Sequence, residues 1–186
     1  LMSFCGETLK KHQVDFLFEK KSDLTIFNTY GPTEGTLFCT CQKLQKLNYL
    51  DYSNYSMSIG SAIPGWNIKL CPVEGFEGQE VILYGEYISK GYLGFVSDSK
   101  FKVIEIEGKK VMSFETGDIV IEENGNLFFS CRKDRQVKIK GYRVELDEID
   151  LRIREFLNIP CVTVVKRETL YSFIETNEII NEKELR

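Results

Sequence analysis

The sequence predicts a mixed α+β chain of more than one domain. It reads as the end of an α/β subdomain, a β-rich, barrel-like subdomain from about residue 59, and the start of a small α/β C-terminal domain. Three observations predict this. A helix-like segment and the apolar run LTIF come first and empty into the loop NTYGPTEG, residues 28–35. From Ile59 onward, bulky and polar residues alternate in short runs punctuated by glycine, the period of half-buried strands. After residue 131 the composition turns basic, and a helix-period segment with two further strand-like runs follows. The expected division is 1–134, the C-terminal part of a large domain, and 135–186, the beginning of a second domain that is cut short.

In order along the chain, residues 7–20 read as a helix that Thr8 caps, with Leu9, Phe16 and Leu17 near one face. LTIFN, 24–28, is a short buried strand. Residues 35–58 read as polar and irregular, with Tyr49, Tyr52 and Tyr55 expected to pack that loop against the body. WNIKLC and EVILYGEYI are strands, and FKVIEIEGKKVMSFE and DIVIEENGNLFFSC are hairpins. In the second hairpin Asn124-Gly125 favours the positive φ angles of a type I′ turn. Gln136 to Lys140 alternate as a half-buried strand does, with lysines on its wet face. ELDEIDLRIREFL puts Leu146, Ile149, Ile153, Phe156 and Leu157 on one helical face, and Asn158 and Pro160 end it. CVTVVKR and YSFIET are strands, and NEKELR opens a further helix.

Bulk properties exclude several classes. The 186 residues are 42% hydrophobic and 28% charged, as in an ordinary globular protein. No stretch approaches the roughly 18 apolar residues of a membrane span, and no signal-peptide pattern opens the chain. The net charge of -4 argues against nucleic acid as a partner. The six cysteines form no C-x-x-C pair and there is one histidine, His12, so a zinc site is poorly supported. They read as free thiols of a reducing, cytoplasmic protein.

Chemistry concentrates in three places. In NTYGPTE, Gly31 permits close backbone approach, Thr33 offers a hydroxyl to phosphate and Glu34 a hard oxygen suited to Mg²⁺. Tyr30 there offers an aromatic face to a base. Alone, the loop is equally well a Gly-Pro turn. In FETGD, 114–118, Asp118 is placed to accept ribose hydroxyls, or is a turn aspartate. In RKDRQVKIKGYR, 132–143, six of twelve residues are basic and Asp134 interrupts them, as an interdomain pivot would.

Taken together and in order, these segments resemble the adenylate-forming enzymes, above all the amino-acid adenylation domains of nonribosomal peptide synthesis. The matching stretches are NTYGPTE (28–34), IGSAIPG (59–65), EVILYGEYISKGYL (80–93), FETGD (114–118) and CRKDRQVKIKGYRVELDEID (131–150). The resemblance implies an ATP-dependent ligase: an amino-acid carboxylate attacks the α-phosphate of ATP, and the acyl group then passes to the phosphopantetheine thiol of a carrier protein. It implies roles for Asn28, Thr29, Tyr30 and Gly31 around adenine, with Tyr30 stacking on it. Thr33 matches an α-phosphate contact, Glu34 a Mg²⁺ ligand, and Asp118 and Arg132 the ribose contacts. Asp134 matches the hinge of the mobile domain, and Lys138 lies on the strand beyond it, near the ligand. FCGE, 4–7, resembles the strand end lining the substrate pocket, so Ser3 and Cys5 would face the amino acid with Leu37 and Phe38 close by. Cys5 before Gly6-Glu7, with NTYGPTE, is similar to the D-alanine–carrier protein ligase branch.

The chain departs from the family pattern at three positions. Glu115 stands for an Arg or Lys, Gln79 for the Gly before Glu80, and Cys131 for the Gly before Arg132. The resemblance also places a phosphate loop before Leu1 and a catalytic lysine beyond Arg186, so these residues alone are expected to be inactive. An acyl- or aryl-acid–coenzyme A ligase of the same superfamily, and a non-catalytic binding relative, remain as alternatives.

Overall fold

Leu9 is buried, and directly after it the chain turns into helix α1, Lys11–Lys20. The start is set by Gln13, whose side chain accepts from the Lys10 N–H at 2.8 Å, and so falls later than a Thr8 cap would put it. Val14 and Phe18, four residues apart, form the buried face, while Phe16 is 57% exposed. Of the predicted face, Leu9 and Leu17 pack on this core and Phe16 does not. This computed structural model describes residues 1–93 and 99–176. The predicted helix opening NEKELR lies outside the described residues.

α1 covers a four-stranded sheet in the order β1 (Met2–Cys5), β2 (Thr25–Tyr30), β3 (Thr40–Gln45) and β4 (Ser61–Ala62). β1 runs parallel to β2, and the other pairs are antiparallel. Ile26 and Leu44 of the sheet meet Val14, Phe18, Leu24, Tyr49 and Met57 in one core. β3 lies inside the stretch that reads as irregular. Its sequence TCQKLQ buries only Thr40 and Leu44 fully, so alternation is too faint to see. Pairing with β2, from Thr25↔Gln45 to Tyr30↔Thr40, makes it a strand. Tyr49 is buried against Phe18 and donates to Asp15 Oδ1 at 2.8 Å, whereas Tyr55 is exposed.

The second sheet holds β5 (Asn67–Pro72), β6 (Gln79–Tyr84), β7 (Phe101–Ile106), β8 (Lys109–Glu123) and β9 (Asn126–Arg132). The order is β5-β6-β8-β7, with β9 also on β8. The long β8 pairs with β7 through its first half and with β9 through its second. Both predicted hairpins are present, and Asn124 and Gly125 have φ of 52° and 75°, as a type I′ turn requires. The barrel-like expectation is corrected: among the described residues no sheet closes, β5 and β7 being the ends of an open path. Alternation specifies strands with one buried face, while closure depends on tilt and edge pairing that alternation does not encode. Cys39, Ile59, Val81, Leu83, Phe114 and Val120 fill the core beneath this sheet. The two sheets are joined where the Ile59 N–H and the Ser58 hydroxyl both donate to the Leu127 carbonyl.

By contacts the chain divides into two compact units, Leu1–Lys133 and Asp134–Arg186. The second holds the hairpin β10 (Gln136–Ile139) and β11 (Tyr142–Glu145), helix α2 (Leu146–Leu157) and the hairpin β12 (Cys161–Lys166) and β13 (Thr169–Ile174). Asn158 ends α2 in the left-handed conformation, as its type allows. Of the predicted apolar face, Leu146 is buried, Ile149, Ile153 and Leu157 are half-buried and Phe156 is exposed. The guanidinium of Arg135 ties this unit together, reaching Asp147 and Asp150 at 2.6 Å each and the Thr163 carbonyl.

Asp150 is 1% exposed. Burial works against its charge, but the hydrogen bonds from Arg135 and Thr163 outweigh it and hold the carboxyl below its ordinary value of 3.8. A depressed folded pKa adds stability that is complete above the unfolded value and is lost as pH falls through the folded one. Acidification below pH 3.8 is therefore expected to loosen α2 and β12. Hydrogen exchange of these amides between neutral and acid pH checks it, and Asp150→Asn should flatten the acid limb.

Candidate functional site

β2 delivers Tyr30 to the edge of the second core, and Gly31 lets the chain double back there. A Cβ at position 31 would lie 2.5 Å from the Phe38 Cα and 2.9 Å from the Cys39 nitrogen. The Cys39 N–H closes the loop on the Tyr30 carbonyl at 2.8 Å. Between them Thr33–Gly35 form a single 3-10 turn. Residues 85–92 hold that turn from the other side. Thr36 Oγ1 donates to the Tyr87 carbonyl at 3.1 Å, the Ser89 N–H donates to the Glu34 carbonyl at 2.8 Å, and the Tyr92 hydroxyl donates to Glu34 Oε1. Glu34 is only 3% exposed, an unusual position for a carboxylate in a loop.

Tyr30 also reaches the second sheet, donating its hydroxyl to Asp118 Oδ2 at 2.7 Å. The other oxygen, Oδ1, accepts from Arg132 Nη1 at 2.7 Å, and Arg132 Nη2 donates to the Thr116 carbonyl at 3.0 Å. Ladder register accounts for the pair, because β8 and β9 set Asp118 directly opposite Arg132. Asp118 is 7% exposed and the Arg132 side chain 17%, so this ion pair is largely out of water. Burial and the adjacent Asp118 charge push the Tyr30 phenol well above its ordinary value, which keeps it a donor. Burial likewise pushes the nearby Cys39 thiol up to about 12, so it stays an inert thiol. The Asp118 turn is itself braced: its N–H donates to Thr116 Oγ1, and that hydroxyl donates to the Val81 carbonyl at 2.7 Å.

Tyr30, Glu34, Asp118 and Arg132 thus belong to one connected region of the first unit. Thr33 is exposed on the same loop, as is Leu37, with Phe38 half-buried. Asn28 is buried, and its amide donates to the Ser58 carbonyl at 2.8 Å, so it anchors the strand from below. Thr29 Oγ1 donates to the Phe4 carbonyl at 2.9 Å, which fastens β1 to β2. Ser3 and Cys5 are exposed on β1, with Cys5 in register with Thr29. Asp134 and Lys138 fall in the second unit, where Asp134 Oδ1 accepts from the Gln136 N–H and Lys138 faces Arg143 across the β10–β11 ladder.

Of the three departures, Cys131 is exposed and pairs with Ile119 next to a bulge in the β8–β9 ladder, without a positive φ that would call for glycine. At the second departure, Gly78 just before Gln79 carries φ of 120°. Glu115 lies between two lysines, Lys102 and Lys133. Four participants escaped sequence reasoning: Tyr92, Thr116, Glu80 and Lys133. Tyr92 and Glu80 both lie in EVILYGEYISKGYL, where a strand pattern hides them. Among the described residues no three His, Cys, Asp or Glu side chains gather as a metal cage.

Fold and sequence agree on the class the chain resembles: it is similar to the amino-acid adenylation proteins of the adenylate-forming enzymes. Its relatives include D-alanine--D-alanyl carrier protein ligases. That of Bacillus licheniformis is 35% identical over 170 residues, covering 89% of this chain and 33% of the relative. That of Listeria monocytogenes is 33% identical over 171 residues, covering 88% and 32%. Among solved structures, the Vibrio cholerae adenylation domain AlmE in complex with glycyl-adenosine-5'-phosphate superposes with a TM-score of 0.79 at 27% identity, covering 98% of this chain and 37% of that one. PA1221, an NRPS protein containing adenylation and PCP domains, gives 0.73 at 25% identity over 92% and 37%. The chain spans about a third of the length of the curated relatives it matches. No family model matches it.

Proposed function

We propose that this chain is part of an ATP-dependent ligase that activates a small amino acid, D-alanine being the first candidate, and passes it to the phosphopantetheine thiol of a carrier protein. The observation that carries the reading is the Asp118 carboxylate, held by Tyr30 and Arg132 beside the buried Glu34 loop. A carboxylate has about four acceptor positions. Tyr30 and Arg132 take one on each oxygen and fix the carboxylate in place, and a ribose diol is the ligand this reading assigns to it. Arg132 gives Asp118 its counter-charge, and in this reading Tyr30 joins the ribose end of the site to the adenine end, where its ring stacks. The Thr29 backbone lies by the adenine amino group, and the exposed Thr33 hydroxyl donates to the α-phosphate.

Glu34 fits Mg²⁺ in kind. A single buried carboxylate, already oriented by the Tyr92 hydroxyl, suits an ion that keeps waters and shares substrate phosphates instead of requiring a protein cage. When bound, Mg²⁺ would neutralise charge on the phosphates. The chain's own residues position and orient the nucleotide, which is most of what nucleotidyl transfer asks of a protein. The amino-acid carboxylate oxygen then forms a bond to the α-phosphorus, and pyrophosphate leaves with the electron pair of the broken P–O bond. In the second step the thiolate sulfur takes the acyl group and AMP departs.

Ser3, Cys5, Leu37 and Phe38 line the amino-acid side of the site in this reading, and Asp134 is the pivot between half-reactions that brings Lys138 to the ligand. Six free cysteines are consistent with a cytoplasmic setting, and no described helix is long and apolar enough to cross a membrane. ATP–pyrophosphate exchange by the full-length protein across an amino-acid panel tests the proposal. Exchange stimulated by D-alanine or another small amino acid is expected. Exchange with no amino acid overturns the reading, and acyl transfer to free coenzyme A in place of a carrier protein corrects its second half.

A further inference from the structure

The Gly117 peptide, immediately before Asp118, is pinned at both of its polar atoms. Its N–H donates to Glu80 Oε1 at 2.9 Å, and its carbonyl accepts from the Lys133 N–H at 2.8 Å. Gly117 has φ of 77°, a left-handed turn whose peptide must be held from outside the strand. Glu80 is buried, and its second oxygen accepts from Lys133 Nζ at 2.6 Å. Lys133 therefore closes a ring. Its backbone holds one side of the peptide, and its side chain holds the carboxylate that holds the other. The same Nζ lies 3.8 Å from Glu115, whose other oxygen pairs with Lys102. Charges thus alternate along Glu80, Lys133, Glu115 and Lys102.

We infer that Lys133 is a positioning residue for nucleotide binding, acting through Glu80 and the Gly117 peptide to aim Asp118. The inference rests on reading Asp118 as the ribose acceptor. A buried carboxylate that loses its cation must move or draw in water. Either loosens its hold on the Gly117 N–H, and the turn that presents Asp118 relaxes with it. The geometry also says where a substitute cation could stand. Because Lys133 Nζ bridges the carboxylates of Glu80 and Glu115, a lysine at position 115 would extend toward Glu80 from the opposite side.

The test compares the full-length protein with Lys133→Leu, Lys133→Arg and the exchange variant Lys133→Leu/Glu115→Lys. AMP affinity, the KM values for ATP and for the amino acid, and the melting temperature are measured for each. Lys133→Leu is expected to weaken AMP binding and raise the ATP KM by about tenfold, the scale of one charge-assisted hydrogen bond. The amino-acid KM should hold. Lys133→Arg and the exchange variant should both recover AMP affinity. An AMP affinity within about twofold in folded Lys133→Leu overturns the inference. So does an equal rise in both KM values, or an exchange variant that folds and does not recover. A parent protein that exchanges pyrophosphate while Lys133→Leu is unmoved sinks this inference alone, whereas a parent that neither binds AMP nor exchanges sinks the proposed function too.

Discussion

Glu34→Gln in the full-length protein is expected to slow amino-acid-dependent ATP–pyrophosphate exchange by about two to three orders of magnitude, the scale of losing one preorganised electrostatic group. The fold should not change, for a physical reason. Glutamine keeps the shape of the side chain and an oxygen that can accept from the Tyr92 hydroxyl, so the contact with residues 85–92 survives. What disappears is the negative charge of a side chain that is itself almost fully buried. The loss should therefore appear as a demand for more Mg²⁺ and a lower kcat, with an unchanged melting temperature. An unchanged rate at saturating Mg²⁺ would remove Glu34 from the metal role.

Asp118→Ala is the second large effect, and it mixes binding with stability. It removes the acceptor for Tyr30 and, in the proposed site, for the ribose, and it takes the Asp118 charge from the mostly buried Arg132 guanidinium. Breaking a buried pair from one side costs about 3–5 kcal/mol. Partial exposure of Arg132 puts the stability loss here at the lower end or below. Nucleotide affinity should fall about tenfold to a hundredfold, as for the loss of two charge-assisted hydrogen bonds. Asp118→Asn separates the two contributions, since the amide oxygen can still accept from Tyr30 but carries no charge for Arg132. Calorimetric AMP binding alongside thermal melting distinguishes them, and normal AMP affinity in either variant would disqualify Asp118 as the ribose contact.

Much of this was legible in the residues because the signals are local. Asn124-Gly125 specified its turn, Asn158 stopped α2, and alternation exposed β5 to β10. The loop NTYGPTE alone was equally well a Gly-Pro turn, and only its order with FETGD and the basic block pointed to the nucleotide site proposed above. What escaped depends on partners distant in sequence. β3 looks irregular because TCQKLQ becomes a strand only by pairing with β2. A barrel was expected where edge pairing, invisible to alternation, leaves the sheet open. Thr8 is a better capping type than anything near Lys10, yet the burial of Leu9 and the reach of Gln13 moved the helix start. Glu115 read only as a departure from the family pattern because its lysine partners come from β7 and from the end of the first unit.

The hydrogen bond between Tyr30 and Asp118 joins positions 88 apart in the chain. Contacts of such long separation close large loops and so belong to the slow, late part of folding. The first sheet with α1 can condense from near neighbours, whereas the region around Tyr30 and Asp118 cannot exist until β6, β8 and β9 have all docked. If that region binds nucleotide as proposed, binding reports on completed folding of this unit. A ligand that engages Asp118 selects chains that have finished and, by mass action, protects them from unfolding and from proteases that enter through the open edge strands.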